Sequence, residues 1–396
     1  MKKIIKLSVA AALAATAMNA AVVDNVKLDG KARLFYETNN ANGTDMFDAN
    51  NAGTKGQVLL TVGASADVGP IKVNLRNQTL TTAGLENAVV AANQTAGTDN
   101  INYTDIANIQ ATFGGTTVIA GKQELNTPMC FTEGWNIHRN TFKANVLVNK
   151  SLISGTTLVF ADVKSTNASG ASATPVNVNT ILAEKGAGLD ANGDYNRNVG
   201  ATMVAAHTTI AGLPLNAYFY DINSVAGTTP LALSTTWLDT NFNVAGAKIA
   251  AIYAEQDLND GSAEGTAAAV SVATKVAGLN VFAAYSTVND DATSFANVAT
   301  QKKTKLPTQA VYVDGADVAQ AGADTWKVKL SGMSVGPVKL AIQHVVCDTN
   351  GAEDTETDII ATTKIGGVSY KALLMQNEEG AGTQHEKFRL YANYSF

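Results

Sequence analysis

The chain has 396 residues, of which 46% are hydrophobic and 16% are charged, and its formal net charge is −6. The charged fraction lies below the roughly 25% that is usual for soluble domains, while the many apolar residues and the small net charge argue against intrinsic disorder. The acidic balance argues against a basic nucleic-acid binder, and no run beyond the N-terminus reaches the ~18 apolar residues of a transmembrane helix.

The N-terminus has the layout of a secretory signal peptide. Three lysines within the first six residues are followed by a short apolar stretch, 7–17, and by a small-residue site at Ala20-Ala21. The apolar stretch is too short for a membrane anchor, and strand-like sequence follows it directly. We therefore expect residues 1–20 to be removed during export from the cytoplasm.

The remaining sequence reads as a series of β-hairpins. Stretches of alternating apolar and polar residues meet at short turns that contain glycine, which readily adopts the positive φ of tight hairpin turns. These turns lie at 67–70, 113–116, 153–156, 211–214, 245–247, 277–279, 335–337 and 365–367. With a first strand at 26–37 and a last strand at 385–396, the eight hairpins predict about eighteen strands.

The other connections are long and rich in Asn, Asp, Gly, Thr and Ala. They cover 38–55, 81–100, 124–140, 164–195, 222–234, 257–265, 289–323, 348–357 and 377–384. Short turns that alternate with long loops are typical of outer-membrane barrels, which have periplasmic turns and extracellular loops. The sequence therefore predicts an all-β fold, with residues 21–396 forming one transmembrane antiparallel up-and-down β-barrel. A soluble secreted β-protein is the remote alternative.

The strand faces agree with a barrel in lipid. In the last strand, Phe388 and Leu390 alternate with Lys387 and Arg389, and the strand ends at an aromatic residue, Phe396, as in the C-terminal signal of bacterial outer-membrane barrels. The apolar set should face lipid and the polar set a wet lumen. By this parity the lumen-facing cations are Arg33, Lys72, Arg76, Lys143, Lys327, Lys329 and Arg389.

One segment gives a more specific resemblance. Residues 121–128, Gly-Lys-Gln-Glu-Leu-Asn-Thr-Pro, lead into the third long loop. This segment resembles the entry to the constriction loop in the major outer-membrane porins of epsilonproteobacteria (the Campylobacter type), which are related to OprD-like porins. The resemblance implies an eighteen-stranded barrel, a homotrimer, and a third loop, 124–140, folded into the lumen. Its surroundings would be outer-membrane lipid and lipopolysaccharide.

Selectivity should arise at the narrowest point of such a lumen. The third loop carries Glu124, Glu133, His138 and Arg139, beside Phe131 and Trp135. An acidic loop that faces a basic wall would create a transverse field, although these groups could equally be ordinary solvated charges. Acidic residues are expected to ring the outer mouth at Asp257, Asp260, Glu264, Asp290, Asp291, Glu353, Asp354, Glu356, Asp358, Glu378 and Glu379. A negative mouth favours cations, whereas the basic wall argues for anions.

The two cysteines, Cys130 and Cys347, leave two alternatives open. An even number of cysteines in an oxidising compartment permits one disulfide, which would tether the third loop to the wall. Two free thiols are the other alternative, because sequence does not give the distance between the two residues.

The motifs that suggest chemistry are weak. Residues 332–336 match G-x-S-x-G, but they lie in a predicted hairpin rather than in the strand-to-helix turn that a nucleophile elbow needs. The segment 190–194 imitates part of an EF-hand loop without its final acidic ligand, which leaves at most a weak divalent-cation site. The four histidines lack metal-ligand spacing. We therefore expect no catalysis, no cofactor, no metal centre and no nucleic-acid partner.

The sequence thus favours an outer-membrane porin that passes ions and small hydrophilic solutes by passive diffusion, leaning towards cations. One alternative is a substrate-specific, OprD-like channel whose basic wall binds a carboxylate-bearing nutrient. Another is a surface adhesin, in which long loops such as 289–323 bind ligands and the barrel is only a platform.

Overall fold

The computed structural model describes residues 23–41, 45–49, 53–82, 100–134, 137–166, 200–222, 233–258, 263–380 and 382–396. The predicted signal peptide, Trp135, Asp260 and the Asp-rich segment 190–194 lie outside these residues. Among the described residues, no helix has the length and apolar character needed to cross a membrane.

The described chain contains a sheet of eighteen strands and one short helix, α1 (Gly315–Val318). The strands are β1 (Val23–Asn39), β2 (Lys55–Val68), β3 (Ile71–Thr81), β4 (Asn100–Phe113), β5 (Thr116–Gln123), β6 (Phe142–Asn149), β7 (Thr157–Thr166), β8 (Ala201–Ile210), β9 (Leu213–Ile222), β10 (Leu233–Val244), β11 (Ala247–Asp257), β12 (Gly265–Val276), β13 (Leu279–Val288), β14 (Ala323–Val335), β15 (Val338–Thr349), β16 (Ala352–Ile365), β17 (Val368–Glu379) and β18 (Thr383–Ser395).

The sheet closes on itself. Each strand pairs antiparallel with the next strand in sequence, and β1 also pairs with β18 from Lys31↔Ser395 to Asn39↔Lys387. Because every strand has two neighbours, the sheet has no open edge and its backbone groups are satisfied within the wall. The prediction of an up-and-down barrel of eighteen strands is confirmed.

All eight predicted glycine turns join consecutive strands at one end of the barrel, here called the turn end. The Ala211-Gly212 turn shows why glycine is needed, since both residues have positive φ, 51° and 83°, as a two-residue hairpin turn of type I′ requires. The opposite end, here called the loop end, holds the longer connections.

Two of the predicted long loops are wrong. β15 continues to Thr349 and β16 begins at Ala352, so Asn350-Gly351, with φ of 54° and 88°, is another tight turn. Likewise, only residues 380–382 separate β17 from β18. The sequence misled here because these strand ends carry polar residues on both faces, yet they still pair, as in Cys347↔Asp354.

The lumen has two unlike sides. The inward faces of β6–β13 are apolar and largely small, and they pack against loop 3 (residues 124–141) and loop 7 (residues 289–322). Most inward-facing cations of the described strands instead belong to β14–β18 and β1–β3, which form a continuous sector through the β1–β18 seam. Both loops therefore fold inside the barrel and lie mainly against its apolar wall, with a smaller apolar contact to Phe35 and Leu373 on the opposite side.

Candidate functional site

Loop 3 turns back on itself within the lumen. An isolated bridge joins Asn126 to Phe131, and the backbone N–H and side-chain hydroxyl of Thr127 both donate to the carbonyl of Cys130, at 3.0 and 2.8 Å. The tip is fastened to the apolar wall, where the N–H of Met129 meets the hydroxyl of Tyr220 on β9 at 3.4 Å. The third loop is therefore folded into the lumen, as expected.

The central link between loop 7 and loop 3 is a buried side chain, Asn297. Its amide nitrogen donates to the carbonyl of Phe131 at 2.7 Å and to Oε1 of Glu133 at 2.8 Å. Glu133 also accepts from the hydroxyl of Thr300, and the N–H of Val298 donates to the carbonyl of Met129 at 2.9 Å. The two loops thus form one hydrogen-bonded unit, which we call the plug. Glu133 is buried within the plug and is not a pore-lining charge.

The plug is anchored to the barrel wall at Glu356 of β16. This buried carboxylate accepts three consecutive backbone N–H groups of loop 7, from Val311, Tyr312 and Val313, at 3.1, 2.8 and 2.8 Å. Sequence placed Glu356 and its neighbour Asp358 at the outer mouth, but both lie fully buried on the inward face of β16. That prediction is wrong because strand β16 begins five residues earlier than the expected loop ended.

A second anchor holds loop 7 at the β1–β18 seam. The hydroxyl of Tyr312 donates to Glu37 at 3.0 Å, and Arg389 forms an ion pair with the same carboxylate and donates to the Tyr312 hydroxyl at 3.2 Å. Lys387 places its ammonium 3.2 Å from the centre of the Tyr312 ring. Arg389 therefore faces inward as predicted, but it is buried and clamps loop 7 rather than lining an open passage.

Arg33 plays the corresponding part for loop 3. Its guanidinium donates to the carbonyl of Ile137 at 3.1 Å and to the side chain of Asn393 at 2.8 Å. His138, the residue after Ile137, is partly buried, and burial, reinforced by the positive charge of Arg33, lowers the pKa of its imidazole to about 4. His138 is consequently neutral at physiological pH and contributes no charge to the lumen.

The predicted residues Arg76, Glu124 and Arg139 do come together. Glu124, the first residue of loop 3, accepts from Arg76 of β3 at 2.8 Å and lies 3.4 Å from Arg139. Arg76 also pairs with the buried Asp105 of β4 at 2.6 Å. The side chains of Arg76, Glu124 and Arg139 are 18%, 32% and 44% exposed, so this cluster is open to the lumen. Partial burial opposes ionisation of Glu124, but the two guanidiniums outweigh it and lower the pKa of the carboxyl.

The cluster is positive overall. Lys31, on the inward face of β1, lies within electrostatic reach of Arg33, Arg76, Arg139 and Glu124, and Arg33 lies within electrostatic reach of Arg139. Four cations therefore share the cluster with two carboxylates, those of Glu124 and Asp105. Such an excess of positive charge stabilises an anion that is desolvated or confined in the lumen, because the lumen focuses the electric field of the cations. We call Lys31, Arg33, Arg76, Arg139, Glu124 and Asp105 the basic cluster.

The other predicted cations are scattered. Lys72 faces inward near the turn end, opposite Asp67, and Lys327 donates to the carbonyl of Gln309 at 2.5 Å, with Lys329 two residues further along the same face. The prediction that Lys143 faces the lumen is wrong, because its side chain points to the outside of the barrel. Apolar residues were expected to face lipid, but in β6 the apolar Phe142, Ala144 and Val146 face the dry, loop-filled side of the lumen.

Cys130 and Cys347 are both buried free thiols. The disulfide alternative is therefore wrong, and the alternative of two free thiols is confirmed. Cys130 lies in the plug, where burial raises the pKa of its thiol to about 12. Cys347 accepts a hydrogen bond from the hydroxyl of Thr325 at 3.1 Å.

A cavity of about 330 Å³ opens on the turn side of the plug. Its walls include Tyr218, Trp237, Asp239, Lys248 and, from the two loops, Asn126 and Lys305. Asp239 accepts from Asn216 at 2.7 Å, and Asn216 is bonded to His207 at 2.8 Å. Aromatic rings beside charges of both signs suit a small amphipathic solute that has passed the plug.

Several solved structures from Pseudomonas have the same fold. Pseudomonas aeruginosa OccK9 (OpdG) matches with a TM-score of 0.71 and 13% identity, over 94% of this chain and 98% of its own. A BenF-like porin from Pseudomonas fluorescens matches with a TM-score of 0.70 and 11% identity, over 94% and 99%. The chain has the porin fold. Pseudomonas aeruginosa OpdK, solved with vanillate, matches with a TM-score of 0.66 and 11% identity, over 94% and 98%. No protein-family model and no curated protein sequence matches the chain.

Proposed function

We propose that the protein is an outer-membrane porin that lets small hydrophilic solutes cross by passive diffusion, without catalysis. The support is a closed barrel with exposed apolar side chains on its outer wall, charged groups on its inner wall, and two loops folded inside. Export through residues 1–20 and assembly as a homotrimer belong to the same proposal, as does membership of the epsilonproteobacterial porins suggested by residues 121–128.

The preferred solutes in this proposal are anions, and carboxylates in particular. The observation that carries it is the basic cluster, in which four cations and two carboxylates meet where loop 3 leaves the wall. Arg139 is the most exposed of its four salt-bridged side chains, and a guanidinium can bind a carboxylate through two parallel hydrogen bonds. Pseudomonas aeruginosa OpdK, which has the same fold, was solved with vanillate. Vanillate is a carboxylate, and this supports the same class of solute for the present chain.

The preference for cations that the sequence led us to expect loses part of its basis. Two of the acidic residues that were expected to ring the mouth, Glu356 and Asp358, are buried behind loop 7 and cannot attract ions there. The adhesin alternative loses its longest candidate loop, because loop 7 packs into the lumen instead of extending outward. A substrate-specific channel for carboxylates is therefore the version that we favour.

The test is electrical. The purified protein in planar bilayers should give stable channels whose reversal potential in a KCl gradient shows preference for chloride. Vanillate should reduce the single-channel current saturably, whereas vanillyl alcohol, which has the same ring without the carboxylate, should not. Preference for potassium, or equal block by both compounds, would contradict the carboxylate proposal. Absence of channels would contradict the porin proposal itself.

A further inference from the structure

The cavity on the turn side of the plug is lined by charges of both signs that do not pair with each other. Asp239 of β10 and Lys305 of loop 7 both line it. In the described part of the chain, Asp239 accepts one side-chain hydrogen bond, from Asn216, and forms no ion pair. Lys305 donates to Oδ1 of Asn126 at 2.7 Å and interacts electrostatically with Glu133 in the plug. The cavity thus lies between a carboxylate on the wall and an ammonium on the plug.

Asp239 is held in place by a row of polar side chains across three strands. In the strand register, His207 lies opposite Asn216, and Asn216 lies opposite Asp239. A carboxylate can only accept, so Nδ2 of Asn216 donates to Oδ1 of Asp239 at 2.7 Å, and Oδ1 of Asn216 accepts from Nδ1 of His207 at 2.8 Å. Among the described residues, Oδ2 of Asp239 has no donor of its own, so the row leaves this acceptor for a group in the cavity.

An aromatic pair lies between the two charged groups. Trp237 is directly opposite Tyr218 in the register and is two residues closer to the plug than Asp239. Both rings line the cavity, so a ring packed beside them would have Lys305 at one end and Asp239 at the other. The volume of about 330 Å³ is near the lower end of the range for small-molecule sites, about 300–1,000 Å³. It suits a solute with a single ring.

We propose that this cavity is a second solute-binding site, in which Lys305 binds the carboxylate of a single-ring solute and Asp239 binds a hydrogen-bond donor at the opposite end of the ring. The inference rests on the proposed carboxylate channel and adds a site on a different wall from the basic cluster. The reverse orientation would bring the carboxylate of the solute against Asp239, and like charges repel. The donor is a hydroxyl or an ammonium group, since both can donate to a carboxylate.

A ring without such a donor should bind more weakly. It would take water away from Oδ2 of Asp239 without replacing the hydrogen bond, and an unpaired polar group in a binding site lowers affinity. Asp239 is half-buried, so part of this cost is relieved by the remaining water. We therefore expect a discrimination of about tenfold between rings with and without the donor.

The test uses Trp237 as a local reporter. The chain has three tryptophans, Trp135, Trp237 and Trp326, so the W135F/W326F protein keeps only the one in the cavity wall. Its fluorescence is titrated in detergent with cyclohexanecarboxylate and with the trans-4-hydroxy and trans-4-aminomethyl derivatives, which do not absorb where tryptophan is excited. Both derivatives should bind about tenfold more tightly than the unsubstituted ring.

Three variants in this background assign the contacts. D239A should abolish the difference between the three solutes, whereas the matched control D221A should preserve it, because Asp221 is exposed on the outward face of the neighbouring strand β9. K305Q should weaken all three carboxylates about tenfold and leave their ratio unchanged.

Equal binding of the three solutes to the parent protein, or discrimination that survives D239A, would overturn the proposal, as would a Trp237 signal that does not saturate. The comparison of solutes on the parent protein needs no change at Asp239 or Lys305, so it remains decisive if either variant fails to fold. Preference for one derivative alone would support the site and identify the donor as hydroxyl or ammonium. The titration involves no current, so failure of the channel proposal in bilayers and failure of this site are seen separately.

Discussion

Replacing Glu124 by Gln should make the channel more selective for anions. Glu124 accepts from Arg76 at 2.8 Å and lies 3.4 Å from Arg139, so it is the carboxylate that most directly offsets the lumen-facing guanidiniums. Glutamine has nearly the same size and keeps a hydrogen-bond acceptor, while the bond from Arg33 to the carbonyl of Ile137 still holds loop 3. The change therefore removes charge without releasing the loop.

The size of the effect follows from Coulomb's law. A solute ion at about 5 Å from the former carboxylate loses an interaction of about 0.8 kcal/mol in water and about 3 kcal/mol at an effective dielectric constant of 20. Because Glu124 is about one-third exposed, 32%, the aqueous end of this range applies. A change of about 1 kcal/mol corresponds to a roughly fivefold rise in the chloride-to-potassium permeability ratio.

The assay is the reversal potential of single channels in a KCl gradient, with E264Q as the control. Glu264 is an exposed acid at the loop end, so its loss removes the same charge where salt screens it and should shift selectivity less. Because the arginines lower the pKa of Glu124, wild-type selectivity should stay constant as pH falls through the ordinary carboxyl range. It should approach that of the variant only in more acidic solution. An E124Q channel with unchanged selectivity, or with greater preference for potassium, would refute the assignment of the basic cluster as the site that determines ion selectivity.

Three further predictions concern the plug. N297A removes the hydrogen bonds from Asn297 to Phe131 and Glu133 and leaves the buried Glu133 carboxylate with fewer donors. It should therefore destabilise the plug by about 2–4 kcal/mol. More frequent transitions in the single-channel current, with a barrel that is still heat-stable in detergent, would show this. Because burial raises the pKa of its thiol to about 12, Cys130 should resist maleimide in the folded protein. After denaturation without reductant, mass spectrometry should show two maleimide-reactive thiols. A single disulfide-linked species would contradict the structure. The folded structure lowers the pKa of His138 from 6.5 to about 4, so protonation of this imidazole disfavours the folded loop. Plug stability should therefore decline as pH falls from 6.5 towards 4, by about 3 kcal/mol in all. The H138L variant should lack this part of the pH dependence.

The barrel could be predicted because its determinants are local. Period-two alternation and glycine turns such as Ala211-Gly212 specify strands and hairpins one at a time, and closure follows once eighteen hairpin-linked strands need partners. The predictions failed where the same polar composition serves two purposes. Asn350-Gly351 is as polar as a long loop, yet it is a two-residue turn between strands that rise past the apolar band.

The site was harder to predict because it depends on distant contacts. Parity alone found that Arg33, Arg76 and Arg389 face inward, but it did not show that Arg33 and Arg389 hold loops 3 and 7. Loop 7 joins loop 3 through Asn297, 166 residues from Phe131 in the chain, and no local pattern in the sequence reports such a bond. Lys143 was misplaced for a related reason, since the rule that apolar residues face lipid assumes a wet lumen on every side.

The division of the lumen into an apolar and a basic wall explains how both loops come to leave the basic cluster accessible. Loop 3 and loop 7 bury Met129, Phe295 and Leu306 against the small apolar residues of β6–β13, which is the larger hydrophobic gain available inside the barrel. They meet the basic wall at polar anchors, where Glu356 and Arg33 satisfy backbone groups of the loops, and at a smaller apolar contact around Ile137 and Tyr312. Charge not consumed by these anchors, above all at Arg139, stays in contact with the passage. The hydrophobic packing of the loops on one wall thus determines which charges of loop 3 and of the opposite wall a solute meets.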